Sequence, residues 1–222
     1  EELPGLAHFC EHLLFLGTNK YPDENEFSAF LSSHGGFSNA FTATEDTCYY
    51  FEVSADYLEG ALDRFSQFFV APRFTASATD RELGAIDSEN AKNLQNDGFR
   101  RGFRAYQLEK SRANPEHPYH KFGTGSRQTL GGGNGARAAL LKFYDKYYSS
   151  NQMTLCIVGK QSLDELQRWS EDMFAAVPDK GIPAPSTAWA GTVPPFVPEE
   201  APTEHDVVPV QVRKPELLFW IL

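Results

Sequence analysis

Residues 5–16 read GLAHFCEHLLFL, followed by Gly17. The apolar residues are too dense for one amphipathic stripe, so the stretch reads as a mostly buried helix stopped near the glycine. His8, Glu11 and His12 interrupt that apolar run. Two histidines four apart on a helix project from one face, near enough to share an ion. Glu11, three residues after His8 and next to His12, flanks the same face. Cys10 lies about 200° round the helix from His8 at 100° per residue, which reads as core packing.

Outward from this helix, Pro22-Asp23 opens a second one, with Asp23 as expected N-cap and Glu26 at the capping-box spacing. Phe27, Phe30 and Leu31 give it an apolar face, and Gly35-Gly36 end it. Residues 37–43 and 48–53 form two strand-like runs around Thr44-Glu45-Asp46-Thr47, an antiparallel hairpin. A third helix is expected over 55–70, with Leu58, Ala61, Leu62, Phe65, Phe68 and Phe69 inward, and a long helical stretch over about 77–111. A loop over 114–125, a helix over 136–148, a strand over 153–158 (MTLCIV) and a helix from Ser162, capped with Glu165, follow. Together these predict an α+β domain, with helices packed on a mixed, mostly antiparallel sheet. The expected domain is 1–205, its 178–205 portion a proline-rich linker, and 206–222 reads as short terminal strands completing it or leading into the next.

The bulk properties narrow the function classes. The chain has 222 residues, 41% hydrophobic and 23% charged, with a formal net charge of -10. No Lys/Arg stripe is present, which argues against a nucleic-acid partner. Its three cysteines are odd in number and widely spaced, as expected of free thiols in a reducing compartment. No apolar run approaches the 18 or so residues of a membrane span. The first residues lack an initiator Met and lead straight into the helix, so the natural N-terminus, with any targeting segment, is expected to lie upstream.

The polar residues of the first helix carry the chemistry. Neutral imidazoles and a carboxylate suit Zn²⁺, one per chain, with three protein ligands and one position left for water. The ion acidifies that water and polarises a carbonyl, and a nearby base must take the proton. His8-Phe9-Cys10-Glu11-His12 has the H-x-x-E-H form of the inverzincins. Spacing alone leaves the third ligand open among Glu82, Asp87, Glu89 and Asp97. Glu82 and Glu89 are two turns apart and share a helix face with Ile86 and Asn93.

The run GLAHFCEHLLFLGTNKYPDENEFSAFLSSHGGFSNAFTATEDTCYYFEV resembles the catalytic domain of the pitrilysin family of zinc metallopeptidases. The likeness continues through LEGALDRFSQFF, DRELGAIDSENAKN, QLEKSRANPEHPYHKFGTGS and KFYDKYYSSNQMTLCIVG, and weakens over 178–209. It implies a zinc metalloendopeptidase acting on small peptides or partly unfolded polypeptides. By the resemblance His8, His12 and Glu89 are the metal ligands, Glu11 is the general base, and Glu82 supports the ligands. Asn39 and Ala40 match the edge strand that binds substrate as an added strand. His34, His117, His120 and His205 match no metal position.

The resemblance also implies strands upstream of the motif and a C-terminal half of the same enzyme that helps to hold the substrate. The expected location is the cytosol, with mitochondria or peroxisomes as alternatives. A mitochondrial-processing-peptidase-like subunit is a rival reading, disfavoured by HFCEH and YYFEV. A non-catalytic structural chain of the family is another, disfavoured because the ligands and base are all present.

Overall fold

The structure is a computed structural model that describes residues 3–95, 106–184, 191 and 193–196. These fall into two compact units, residues 1–88 with 123–190 and residues 89–122 with 191–222.

The first unit is built round the motif helix, α1 (Leu6–Leu14). Leu6, Phe9, Cys10, Leu13 and Leu14 are almost wholly buried. Each such leucine or phenylalanine contributes about 1.5–3 kcal/mol on burial, so α1 is anchored along its length. Next come α2 (Glu26–Ser33) and the hairpin of β1 (Phe37–Thr42) and β2 (Thr47–Glu52). The strands pair in antiparallel register, with Phe37 opposite Glu52, Asn39 opposite Tyr50 and Thr42 opposite Thr47. A 3₁₀ turn over Ala55–Tyr57 leads into α3 (Leu58–Val70), and α4 (Ala76–Gln95) follows. The later helices are α5 (Arg127–Leu130), α6 (Gly133–Tyr147) and α7 (Leu163–Phe174).

Aromatic rings fill the space between α1, the hairpin and α3. Phe27 meets Phe68 edge-on at 5.0 Å between centroids, Phe15 meets Phe68 at 5.2 Å, and Phe51 meets Phe65 at 5.1 Å. α6 packs against α1, and α7 against α3. Beside α1, the Tyr49 and Tyr148 hydroxyls lie 2.6 Å apart. In the second unit, residues 106–112 are helical. There Tyr119 lies edge-on to Tyr106 at 6.2 Å and to Phe196 at 5.9 Å, with the Lys110 ammonium over both tyrosine rings.

The start of α1 is fixed by a close backbone approach. Gly5 has φ +90°, and a Cβ there would lie 2.2 Å from Gly125 Cα; Gly125 itself has φ +81°. Both positions need a left-handed backbone and the missing side chain. Thr129 Oγ1 donates to the Pro4 carbonyl at 3.0 Å and ties the same corner.

The architecture is α+β, as expected, with local corrections. Residues 153–158 form no strand, because the two-stranded β1–β2 sheet offers them no pairing among the described residues. The sheet is therefore smaller than the mixed one expected. Asp23 does not cap α2: its Oδ1 accepts from Asn25 N–H at 2.9 Å, and Asn25 stands at the N-cap. The short side chain closes a local turn before it can reach the helix. Ser162 does cap α7, accepting from Glu165 N–H at 3.3 Å. Much of the proline-rich stretch, Asp97 and the terminal segment 206–222 lie outside the described residues. Cys10, Cys48 and Cys156 are free thiols, and no described helix is long and apolar enough to cross a membrane.

Candidate metal centre

α1 presents His8 and His12 as neighbours, one turn apart. Their rings meet edge-on, with centroids 4.7 Å apart and planes at 84°, and their Nε2 atoms are 3.3 Å apart. The other nitrogen of each ring is held. His8 Nδ1 lies 2.7 Å from the Thr124 carbonyl oxygen, and His12 Nδ1 lies 3.0 Å from Glu82 Oε2. A carbonyl oxygen or an ionised carboxylate can only accept, so in both neutral rings Nδ1 carries the hydrogen. Both Nε2 atoms then present lone pairs, which repel at 3.3 Å unless a cation lies against them. With the hydrogen on Nδ1, both rings have the tautomer that suits metal ligation through Nε2.

The carboxylates come from α4 and from α1 itself. α4 is one unbroken helix from Ala76 to Gln95, and the boundary between the two units falls within it, after Ser88. Glu89 therefore rides on the same helix as Glu82, two turns further along. One ligand atom each from His8, His12 and Glu89 lies within 4.8 Å of the others, and all three residues are half-buried. These donors, two imidazoles and a carboxylate, fit Zn²⁺.

Glu11 is only 6% exposed, although charged. Its Oε2 accepts from Thr42 Oγ1 at 2.5 Å, and Thr42 Oγ1 lies 3.2 Å from Thr47 Oγ1 across the hairpin. A buried carboxylate needs such a donor to offset its lost hydration. Neither Thr42 nor Thr124 is recognisable from the residue pattern. Thr42 meets Glu11 only through the packing of the hairpin on α1, and Thr124 acts through its backbone carbonyl, which no side chain advertises.

Asn39 and Ala40 lie in the middle of β1, away from the histidines along the chain but on the strand that ends at Thr42. Of β1's two edges, one pairs with β2 and the other has no partner strand among the described residues. Cys10 faces away from the histidines. Burial pushes its thiol up to about 12, against a hydrogen bond from Tyr148 that lowers it. Burial likewise holds the Tyr49 and Tyr148 hydroxyls well above the ordinary phenol value.

Residues 1–116 match the family model described as Insulinase (Peptidase family M16), and residues 136–218 match that of the Peptidase M16 inactive domain. The chain is 49% identical over its whole length to the A-factor-processing enzyme of Saccharomyces cerevisiae, covering 21% of that protein. It is also 49% identical, over 94% of its length, to the insulin-degrading enzyme of Homo sapiens, covering 20%. The crystal structure of pitrilysin superposes with a TM-score of 0.80 at 35% identity, over 89% of this chain and 20% of that one. The chain thus spans about a fifth of the length of these relatives. With more than half of its residues inside the family model, and that likeness sustained in three dimensions, the chain belongs to the insulinase peptidases, Peptidase family M16.

Proposed function

We propose that this chain is the zinc-holding catalytic part of an endopeptidase that hydrolyses small peptides or partly unfolded polypeptides. The observation that carries the reading is the cluster of one ligand atom each from His8, His12 and Glu89 within 4.8 Å of the others, with Nδ1 of both rings held by Thr124 and Glu82. His8, His12 and Glu89 would hold one Zn²⁺, and Glu82 would orient His12. The ion supplies a Lewis acid that polarises the scissile carbonyl and lets a water lose its proton near neutral pH.

Glu11 takes that proton and later returns it to the leaving amine. Thr42 holds one carboxylate oxygen by its hydrogen bond, so the other is available for the transfer. A peptide lying along the free edge of β1, past Asn39 and Ala40, would extend towards Thr42 and hence towards Glu11. Main-chain pairing of that kind selects an extended, unfolded substrate over a folded one. The rest of the longer protein, in the proportion seen in the relatives, would complete the substrate site.

The test is metal analysis and peptide cleavage with the full-length protein. About one zinc per chain is expected, lost together with activity in His8→Ala and His12→Ala, because two remaining ligands rarely retain zinc. Undiminished zinc in both variants would sink the assignment.

A further inference from the structure

β1 alternates strictly, with Phe37, Asn39 and Phe41 exposed and Ser38, Ala40 and Thr42 half-buried. The two phenylalanines are 52% and 50% exposed, and Tyr50, opposite Asn39 in the register, is 42% exposed. Large apolar side chains on the open face of an edge strand are an aggregation liability unless something covers them. The covering element must respect the strand's geometry. An extended chain added to the free edge of β1 places its own side chains directly beside those of β1, with Cβ atoms about 4.5–5.5 Å apart. Every second residue of such a chain would then share the face of Phe37 and Phe41.

We propose that Phe37 forms a remote apolar subsite for the substrate, taking a large apolar side chain four residues along the added strand from the one beside Phe41. The inference rests on the peptidase reading above and adds to it a sequence preference. Phe41 adjoins Thr42, which is bonded to Glu11, so it marks the end of the strand nearest the chemistry. Phe37 lies four residues away, about 13 Å at the rise of a strand. Its subsite therefore touches no reacting atom. What it contributes is position: one side chain gripped well away from the bond fixes the register in which the peptide slides along β1, a choice that main-chain hydrogen bonds leave open.

The experiment uses the full-length protein and quenched fluorescent peptides that differ only in carrying Phe or Gly at single positions on either side of the cleaved bond. The unaltered protein should favour Phe at one position about four or five residues from that bond, by about three- to tenfold in kcat/KM, the range of one aromatic contact. Phe37→Ser should bring that ratio near one while leaving kcat/KM for the Gly peptide unchanged, and Phe37→Leu should restore part of it. A ratio unaltered by Phe37→Ser, no such preference in the unaltered protein, or an equal loss for both peptides would overturn the subsite. Cleavage of none of the peptides by the unaltered protein would overturn the peptidase reading, and the subsite with it.

Discussion

Glu82 reaches His12 through Nδ1, at 3.0 Å, while Glu89, two turns further along the same helix, joins the cluster of candidate ligands. One helix thus offers two carboxylates to one site in different capacities. The first holds the ring through Nδ1; the second would bring negative charge to the proposed ion.

That division predicts graded effects at residue 82. Glu82→Gln keeps an oxygen that accepts from His12 Nδ1 and should weaken zinc binding only mildly. Glu82→Ala frees the ring and should weaken it by about 10- to 100-fold. Competition against a chromogenic chelator measures both. Identical affinity in the three proteins would show that the contact does not tune the metal.

Glu11 and Glu89 should separate chemistry from binding. Glu11→Gln is expected to keep its zinc and lose about 10²–10⁴-fold in rate, the usual cost of removing a general base. Glu89→Gln should lose much of its zinc. The two are compared by metal content and turnover in the full-length protein, and equal zinc loss in both would mean that the roles are wrongly divided.

The three thiols should react in the order of their burial. Cys156 is exposed, Cys48 half-buried and Cys10 fully buried. With the Cys10 thiol pushed up to about 12, little reactive thiolate exists in the native state. Alkylation at pH 8, read by mass spectrometry, should modify Cys156 first and Cys10 only on unfolding. The sign for stability follows: the folded thiol holds its proton more tightly than the unfolded one. Its contribution is full below the ordinary value of 9.0 and is lost as pH rises from there towards about 12. Alkaline unfolding should therefore expose Cys10, and fast labelling of Cys10 in folded protein would contradict its burial.

Residues 1–222 expressed alone should turn over peptides slowly if at all. A nucleophile is insufficient unless the substrate is held in line with it and the developing oxyanion meets donors. The relatives are about five times as long as the aligned part, and the remainder of such a protein is where those groups are expected. Cleavage by the isolated chain at a rate near that of the full-length protein would show the part to be self-sufficient.

The motif was legible because a helix converts spacing directly into geometry: four residues place His8 and His12 side by side with no knowledge of the rest. Glu89 was one of four open carboxylates until a family resemblance singled it out, since the meeting of α4 with α1 depends on packing between distant segments. The hairpin and most helices were legible within a few residues from apolar period and turn chemistry. Residues 153–158 show where such reading stops. Their composition suits a strand, but a strand exists only with a partner, and pairing is not a local property. Thr42 and Thr124 were invisible for related reasons, one needing the hairpin's seat on α1 and the other contributing only backbone.

The contact between Gly5 and Gly125 makes the site sensitive to residues that have no functional group to lose. Gly125 adjoins Thr124, whose carbonyl orients His8, and Gly5 immediately precedes the helix that carries His8. A single methyl group at residue 5 would push the two backbones apart and turn the first imidazole away from its neighbour. A descendant of this chain could keep His8, Glu11, His12 and Glu89 letter for letter, and still lose their arrangement through one alanine. An inventory of chemically active side chains would score that descendant as intact.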